Sequence, residues 1–188
     1  MQKNHRLGLV LTSFLAGFLF QTFPSPSFAW SEGISLSLPV ITKDPEDLHG
    51  VSGGVWYDPE TLVWRQFHLY FDLIGAHYWV KGPSTPYHDI NIIAASPVVR
   101  YLFKHHWGMT PYFELSVGLS YLSNTRFANT NQGMHFAFQD RGGLGVIVGE
   151  KQQLSLGAHI VHYSNASLSS HNSGITIPLM VDVSYKFL

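Results

Sequence analysis

A histidine and a serine lie two residues apart near the end of the chain, at His162 and Ser164. If this segment is a β-strand, both side chains point to the same face, about 6.5–7 Å apart along the strand. At that spacing an imidazole can take the proton of a neighbouring hydroxyl, which makes the two a nucleophile and its base. The plain alternative is that both are rim residues that hydrogen-bond to loops.

This pair belongs to one of several segments in which apolar and polar residues alternate. Within Leu154–Ser164, the even-numbered set that contains the pair is the more apolar one. At the C-terminus, every second residue from Ile175 to Phe187 belongs to one predicted face, whereas Thr176 and Asp182 fall on the other. A period of two is typical of β-strands, and helical spacing is scarce in this chain.

About eight such segments predict an all-β fold, an eight-stranded antiparallel up-and-down transmembrane β-barrel. Several run for roughly 12 residues or more, whereas a tilted membrane strand needs roughly 9–11. Short connections alternate with longer polar ones, as they do between the two sides of an outer-membrane barrel. The predicted strands cover residues 31–41, 49–57, 63–80, 89–103, 110–122, 133–149, 153–165 and 174–188.

A soluble barrel that binds a ligand among inward-facing apolar side chains is the main alternative architecture. It would turn the alternating polar residues, such as Asp72, Glu114 and Asp182, toward solvent and leave nothing to fill a polar lumen. Aromatic residues near the predicted strand ends suit the boundary between membrane and water. These features favour the membrane barrel.

The first residues have the layout of a secretory signal peptide: a basic start, an apolar run and a small-residue triplet. These features lie at Lys3 and Arg6, at Leu7–Phe20 and at Ser27–Ala29. The apolar run is shorter than the roughly 20 residues that a helical membrane span needs. We therefore expect residues 1–29 to be a cleaved signal peptide and residues 30–188 to form a barrel in the bacterial outer membrane.

The composition excludes several classes of function. Cysteine is absent, so disulfide, zinc-thiolate and thiol redox chemistry are not available. A net charge of −1 gives no sign of nucleic-acid binding. The remaining histidines show no shared spacing that would build a metal site, so neither a metal nor another cofactor is expected.

The predicted barrel places His162 and Ser164 at the outer end of a strand, on its lipid side. Two polar residues then stand where apolar side chains are expected, next to an external loop. A reactive pair outside the barrel wall implies a substrate that lies in the membrane. Lipopolysaccharide is the abundant lipid of the outer leaflet in such bacteria, so it is the expected partner.

Four segments of the chain carry a family resemblance, and they read His162-Tyr163-Ser164-Asn165-Ala166-Ser167-Leu168, Asn172-Ser173-Gly174-Ile175, Pro111-Tyr112-Phe113-Glu114-Leu115 and Phe136-Ala137-Phe138-Gln139-Asp140. The first two closely resemble the signature of the PagL family of lipid A 3-O-deacylases, and the other two extend the resemblance toward the N-terminus. The resemblance makes lipid A the expected lipid partner. Membership would imply an eight-stranded outer-membrane barrel that hydrolyses the ester-linked acyl chain at the 3-position of lipid A without a metal. By the matching positions, Ser164 would be the nucleophile and His162 the general base.

Two asparagines, Asn165 and Asn172, also match the family motif. Their amides can stabilise an oxyanion or hold the loop in place, and the sequence leaves both roles open. The alternative for each is a turn residue that bonds its own backbone.

One position departs from the family pattern. The resemblance implies a glutamate that orients the histidine, and this chain has Thr176 there. A threonine can accept a hydrogen bond from an imidazole but cannot stabilise imidazolium by charge, so the loss could lower turnover by orders of magnitude. A structural or adhesive barrel that kept the motif without the activity is the competing interpretation.

A substitute acid can be sought from strand pairing. If Gly149–Gln152 is a tight turn, residue 139 or 140 lies opposite His162 on the preceding strand. Asp140 is therefore a candidate His-orienting residue, together with Thr176. A bulge at Gly142-Gly143 would shift the register and remove this possibility.

Overall fold

The computed structural model describes residues 30–81 and 86–187, and its regular structure there is entirely β. The expected signal peptide lies outside these residues. The strands are β1 (Ser31–Ile41), β2 (Leu48–Asp58), β3 (Val63–Trp64), β4 (Phe67–Val80), β5 (Asp89–Leu102), β6 (Met109–Leu122), β7 (Arg126–Phe127), β8 (Thr130–Asn131), β9 (Phe136–Val148), β10 (Leu154–Ser164) and β11 (Ile175–Lys186). Among the described residues no helix is long and apolar enough to span a membrane.

Eight long antiparallel strands form a closed barrel. Neighbours pair in the order β1, β2, β4, β5, β6, β9, β10 and β11, and β11 pairs with β1 to close the sheet. Closure removes the unpaired strand edges that a membrane could not satisfy. The predicted fold is therefore confirmed.

The two faces of the barrel wall differ sharply in polarity. Outward-facing apolar side chains such as Leu115, Leu144 and Ile160 are 61%, 67% and 57% exposed. Inward-facing polar side chains such as Glu114 and Gln139 are buried at 3% and 1% exposure. Apolar-out and polar-in is the arrangement of a membrane barrel and the reverse of a soluble ligand-binding barrel.

A network of charged side chains fills one part of the lumen, and an apolar cluster that includes Tyr78, Ile92 and Ile177 fills the part nearer His162. Arg100 pairs with Glu114 at 2.7 Å, His159 Nε2 lies 2.8 Å from Glu114 Oε1, and Arg141 pairs with Asp72. The cavity left between them has a volume of about 50 Å³, far below the roughly 300 Å³ of a small-molecule site. The space between these side chains is therefore too small for a lipid.

The predicted strand over residues 63–80 is wrong in its first part. The chain instead makes a hairpin in which Val63 pairs with His68 and Trp64 pairs with Phe67. Arg65, at φ 57°, turns the chain between the two short strands. Strong β-formers on both sides of this turn hide it, because Arg65 is not a residue type that signals a turn.

The alternation predicts that every second residue of the C-terminal strand stays on one face of the barrel wall, and this prediction is wrong. Ile175 and Ile177 are fully buried in the lumen, whereas Val181 and Val183 are 42% and 39% exposed on the outside. The register of β11 against β10 shifts between the pair Val161–Ile177 and the pair His159–Met180, which identifies a β-bulge. An extra residue inverts the two faces, so Thr176 lies on the outside of the barrel.

Candidate functional site

His162 and Ser164 lie at the end of β10 that leads into the connection 165–174. On this strand the odd-numbered side chains Val161 and Tyr163 are buried in the lumen at 4% and 1% exposure, and Ile160 is exposed. His162 and Ser164 therefore share the outer, lipid side of the wall, and both are half-buried. The structure brings the predicted pair to one face at the rim.

Thr176 is the direct partner of His162. The two residues are paired across β10 and β11, and His162 Nδ1 lies 2.9 Å from Thr176 Oγ1. The contact depends on the bulge in β11, because continuous alternation would turn Thr176 into the lumen. With Nδ1 engaged, Nε2 is the nitrogen that can serve as a base, and it makes no hydrogen bond with the described part of the chain.

Asp140 lies opposite His162 on the other side, as the strand pairing predicted. The register between β9 and β10 runs without interruption from Val148–Leu154 to Phe138–Ser164. The two strands therefore pair without a bulge at Gly142-Gly143. Asp140 also pairs with the exposed Val117 on β6, which places its carboxylate on the lipid side. Asp140 and Thr176 therefore lie on opposite sides of His162, one on each neighbouring strand.

Gly174 leaves the space that the imidazole occupies. A Cβ atom at this position would lie 2.8 Å from His162 Cε1 and 3.5 Å from Nε2. The residue also has φ +72°, a conformation that L side chains rarely adopt. Backbone geometry and ring packing both require glycine here, one residue before β11 begins.

Asn165 holds the loop that follows the pair. Its side chain is fully buried, and its Nδ2 donates to the backbone carbonyls of Gln132 at 2.5 Å and His171 at 2.8 Å. Its backbone N–H donates to Asn172 Oδ1 at 2.9 Å. Both Nδ2 hydrogens are thus engaged in loop contacts, whereas the amide nitrogen of the exposed Asn172 makes no hydrogen bond with the described residues.

The connection 165–174 is tied to its neighbour, the segment 123–135. Besides the Asn165 contact with Gln132, Ser173 donates to the Asn131 carbonyl at 3.0 Å, and Asn131 donates to Ser173 Oγ at 3.2 Å. Ala166 and Ser167 take left-handed φ values of 52° and 64° in the turn after Asn165. The loop is therefore built as a shaped rim beside Ser164.

Strand period and motif point to His162, Ser164, Asn165 and Asn172, but not to the residues that shape their surroundings. Neither the packing of Gly174 against the imidazole nor the bond from Asn165 to the Gln132 carbonyl has a local signal in the sequence. Pro178 was the available signal for the bulge, because proline inside a sheet is found at edges and bulges.

Comparison with known proteins agrees with this architecture. The family described as lipid A 3-O-deacylase (PagL) matches residues 51–186. The chain is 28% identical over 124 residues to the lipid A deacylase PagL of Bordetella bronchiseptica, covering 66% of this chain and 65% of that protein. It is 34% identical over 101 residues to the Pseudomonas aeruginosa protein of the same name, covering 54% and 56%. The match thus spans less than two thirds of either relative.

Solved structures share the fold. The crystal structure of the outer membrane enzyme PagL aligns with a TM-score of 0.65 and 22% identity over 84% of this chain and 99% of that one. The crystal structure of Neisserial surface protein A aligns with a TM-score of 0.51 and 15% identity over 84% of this chain and 96% of that one. The barrel, its outward-facing apolar surface and the match over most of its length show that this chain is an outer-membrane β-barrel that belongs to the PagL family.

Proposed function

We propose that this protein is an outer-membrane esterase that hydrolyses the acyl chain at the 3-position of lipid A. The observation that carries the proposal is the outward-facing His162–Ser164 pair at the rim, with Nδ1 of the histidine held by Thr176. A nucleophile outside the barrel wall reaches only molecules that lie in the membrane beside it. Lipid A presents its ester groups near the boundary between headgroup and acyl chains.

In the proposed reaction, His162 Nε2 takes the proton of Ser164 as its Oγ attacks the ester carbonyl carbon. The resulting oxyanion collapses, the bond to the sugar oxygen breaks, and His162 returns the proton to that oxygen. Water, activated by the same nitrogen, then attacks the acyl-serine and releases a free fatty acid. The Asn172 amide is the candidate side-chain donor to the oxyanion, and Asn165 holds the loop.

Thr176 takes the place of an acid in this scheme. Its hydroxyl can accept the Nδ1–H of His162 and so hold the ring with Nε2 free. It does not carry the negative charge that stabilises an imidazolium, so the expected rate is lower than with a carboxylate at the same position. Asp140 lies on the other flank of His162 and would add charge without holding Nδ1.

Mass spectrometry of lipid A tests the proposal. Lipid A from cells that carry the intact protein should lack the 3-position acyl chain, whereas lipid A from cells with Ser164→Ala should keep it. Folding of both proteins is checked by heat-modifiable mobility in gels, and Ser155→Ala, a buried lumenal serine of the same strand, is the matched control. Unchanged lipid A with both the intact protein and Ser164→Ala would support the structural or adhesive barrel instead.

A further inference from the structure

The segment after β1 brings a second carboxylate, Asp44, to the site. Asp44 and Thr176 form an isolated antiparallel bridge, in which Thr176 N donates to the Asp44 carbonyl at 2.8 Å and Asp44 N donates to the Thr176 carbonyl at 3.3 Å. Two residues that exchange both backbone hydrogen bonds send their side chains to the same face. Since Thr176 faces outward, Asp44 does so too.

Asp140, His162, Thr176 and Asp44 thus form one row across four neighbouring segments. Directly opposite residues have Cβ atoms about 4.5–5.5 Å apart, within reach of a carboxylate and a hydroxyl after a change of the aspartate torsion. Asp44 is not otherwise committed, because its ion pair is a loose 4.0 Å contact with the exposed Lys43 and its side chain is 44% exposed.

Threonine creates a specific need for such a neighbour. A glutamate is an acceptor only, so it selects the imidazole tautomer with a proton on Nδ1. A threonine hydroxyl can also donate, and a bond from Thr176 to Nδ1 would leave the proton on Nε2, where the ring cannot act as a base. An acceptor for the threonine proton removes this ambiguity.

We propose that Asp44 is a positioning residue that accepts the Thr176 hydroxyl proton and so sets the reactive tautomer of His162. This inference rests on the proposed esterase function. It makes Thr176 and Asp44 together do what a single acid would do. The charged and titratable groups around His162 are then Asp140 from β9 and Asp44 and Lys43 from the segment after β1.

The test compares Asp44→Ala, which removes the acceptor, with Glu46→Ala, which removes an exposed carboxylate from the same loop. Purified protein in lipid vesicles is assayed for fatty-acid release from lipid A between about pH 5 and 9. Asp44→Ala should lower kcat by about three- to tenfold with little change in KM, whereas Glu46→Ala should not. Thr176→Glu should make the Asp44→Ala change nearly silent, because the glutamate then holds Nδ1 directly.

The readout that needs no activity is the nitrogen NMR spectrum of the His162 ring, assigned by the signals that are missing in His162→Gln. The two ring nitrogens give different signals in the Nδ1–H and Nε2–H tautomers, so the spectrum reports which nitrogen carries the proton. Asp44→Ala should raise the share of the Nε2–H tautomer. An unchanged share of the two tautomers and an unchanged kcat in Asp44→Ala, or an equal loss in the Thr176→Glu background, would overturn the inference. A raised share of the Nε2–H tautomer in a protein without hydrolysis would uphold the Asp44 contact and refute the esterase function.

Discussion

Replacing Gly174 with alanine should displace the His162 ring while leaving the barrel intact. The added Cβ would lie 2.8 Å from His162 Cε1, whereas ordinary contact begins at 3.4 Å, so the ring must move by about 0.6 Å. Misplacement of a reacting group by 1 Å can cost about 100-fold, so we expect hydrolysis to fall about 10- to 100-fold. The left-handed backbone at φ +72° adds about 1–2 kcal/mol of strain.

Gly108 is the control that separates the two effects. It has nearly the same backbone angle, φ +75°, but nothing lies within 4 Å of an added Cβ, and it is in the turn at the other end of the barrel. Gly108→Ala should show a similar loss in the free energy of unfolding, measured by urea titration in vesicles, with full activity. Full activity of Gly174→Ala, or an equal loss in Gly108→Ala, would refute the role of ring packing.

Two further predictions concern the loop and the opposite rim. Asn165→Ala removes the hydrogen bonds to the Gln132 and His171 carbonyls, which should lower the local stability of the loop by about 1–3 kcal/mol. Proteolysis of the loop should become faster and KM should rise. An unchanged rate of proteolysis would contradict this prediction. The hydrogen bond from Lys186 to Glu60 at 3.0 Å lowers the Glu60 pKa in the folded protein, so its contribution to stability is present above about pH 4.3 and is lost as the pH falls through the folded value. Glu60→Gln should make unfolding less dependent on pH in that acidic range, and an identical pH dependence would show that the contact contributes nothing.

Local pattern was sufficient for the geometry of the hairpin between β9 and β10. The residue opposite His162 could be predicted as 139 or 140, since partners across a tight turn have a constant sum of residue numbers, and the structure has Asp140 there. Alternation also showed correctly that Glu114 and Asp182 face the lumen. Period and turn length are properties of the chain itself.

Pattern failed where apolar or β-forming residues continue through a bulge or a turn. The alternation from Ile175 to Phe187 looks continuous because Pro178 and Leu179 are both apolar, so the bulge that inverts the faces leaves no break in the pattern. The hairpin at Arg65 was missed for a similar reason. In both places apolar or β-forming residues continue through a change of direction.

Sequence alone determined the barrel, its polarity and the presence of a histidine and a serine on one outward face. The reason is that strand period and hydrophobic pattern depend only on residues close to one another in the sequence. Asp140 apart, only the tertiary structure decided what surrounds them. Thr176 reaches His162 through a bulge, and Asp44 reaches Thr176 from 132 positions earlier in the chain through the closure of β11 against the first strand. The register between β11 and β1, where the barrel closes, is set by the packing of the whole sheet, so it cannot be predicted from a local sequence pattern.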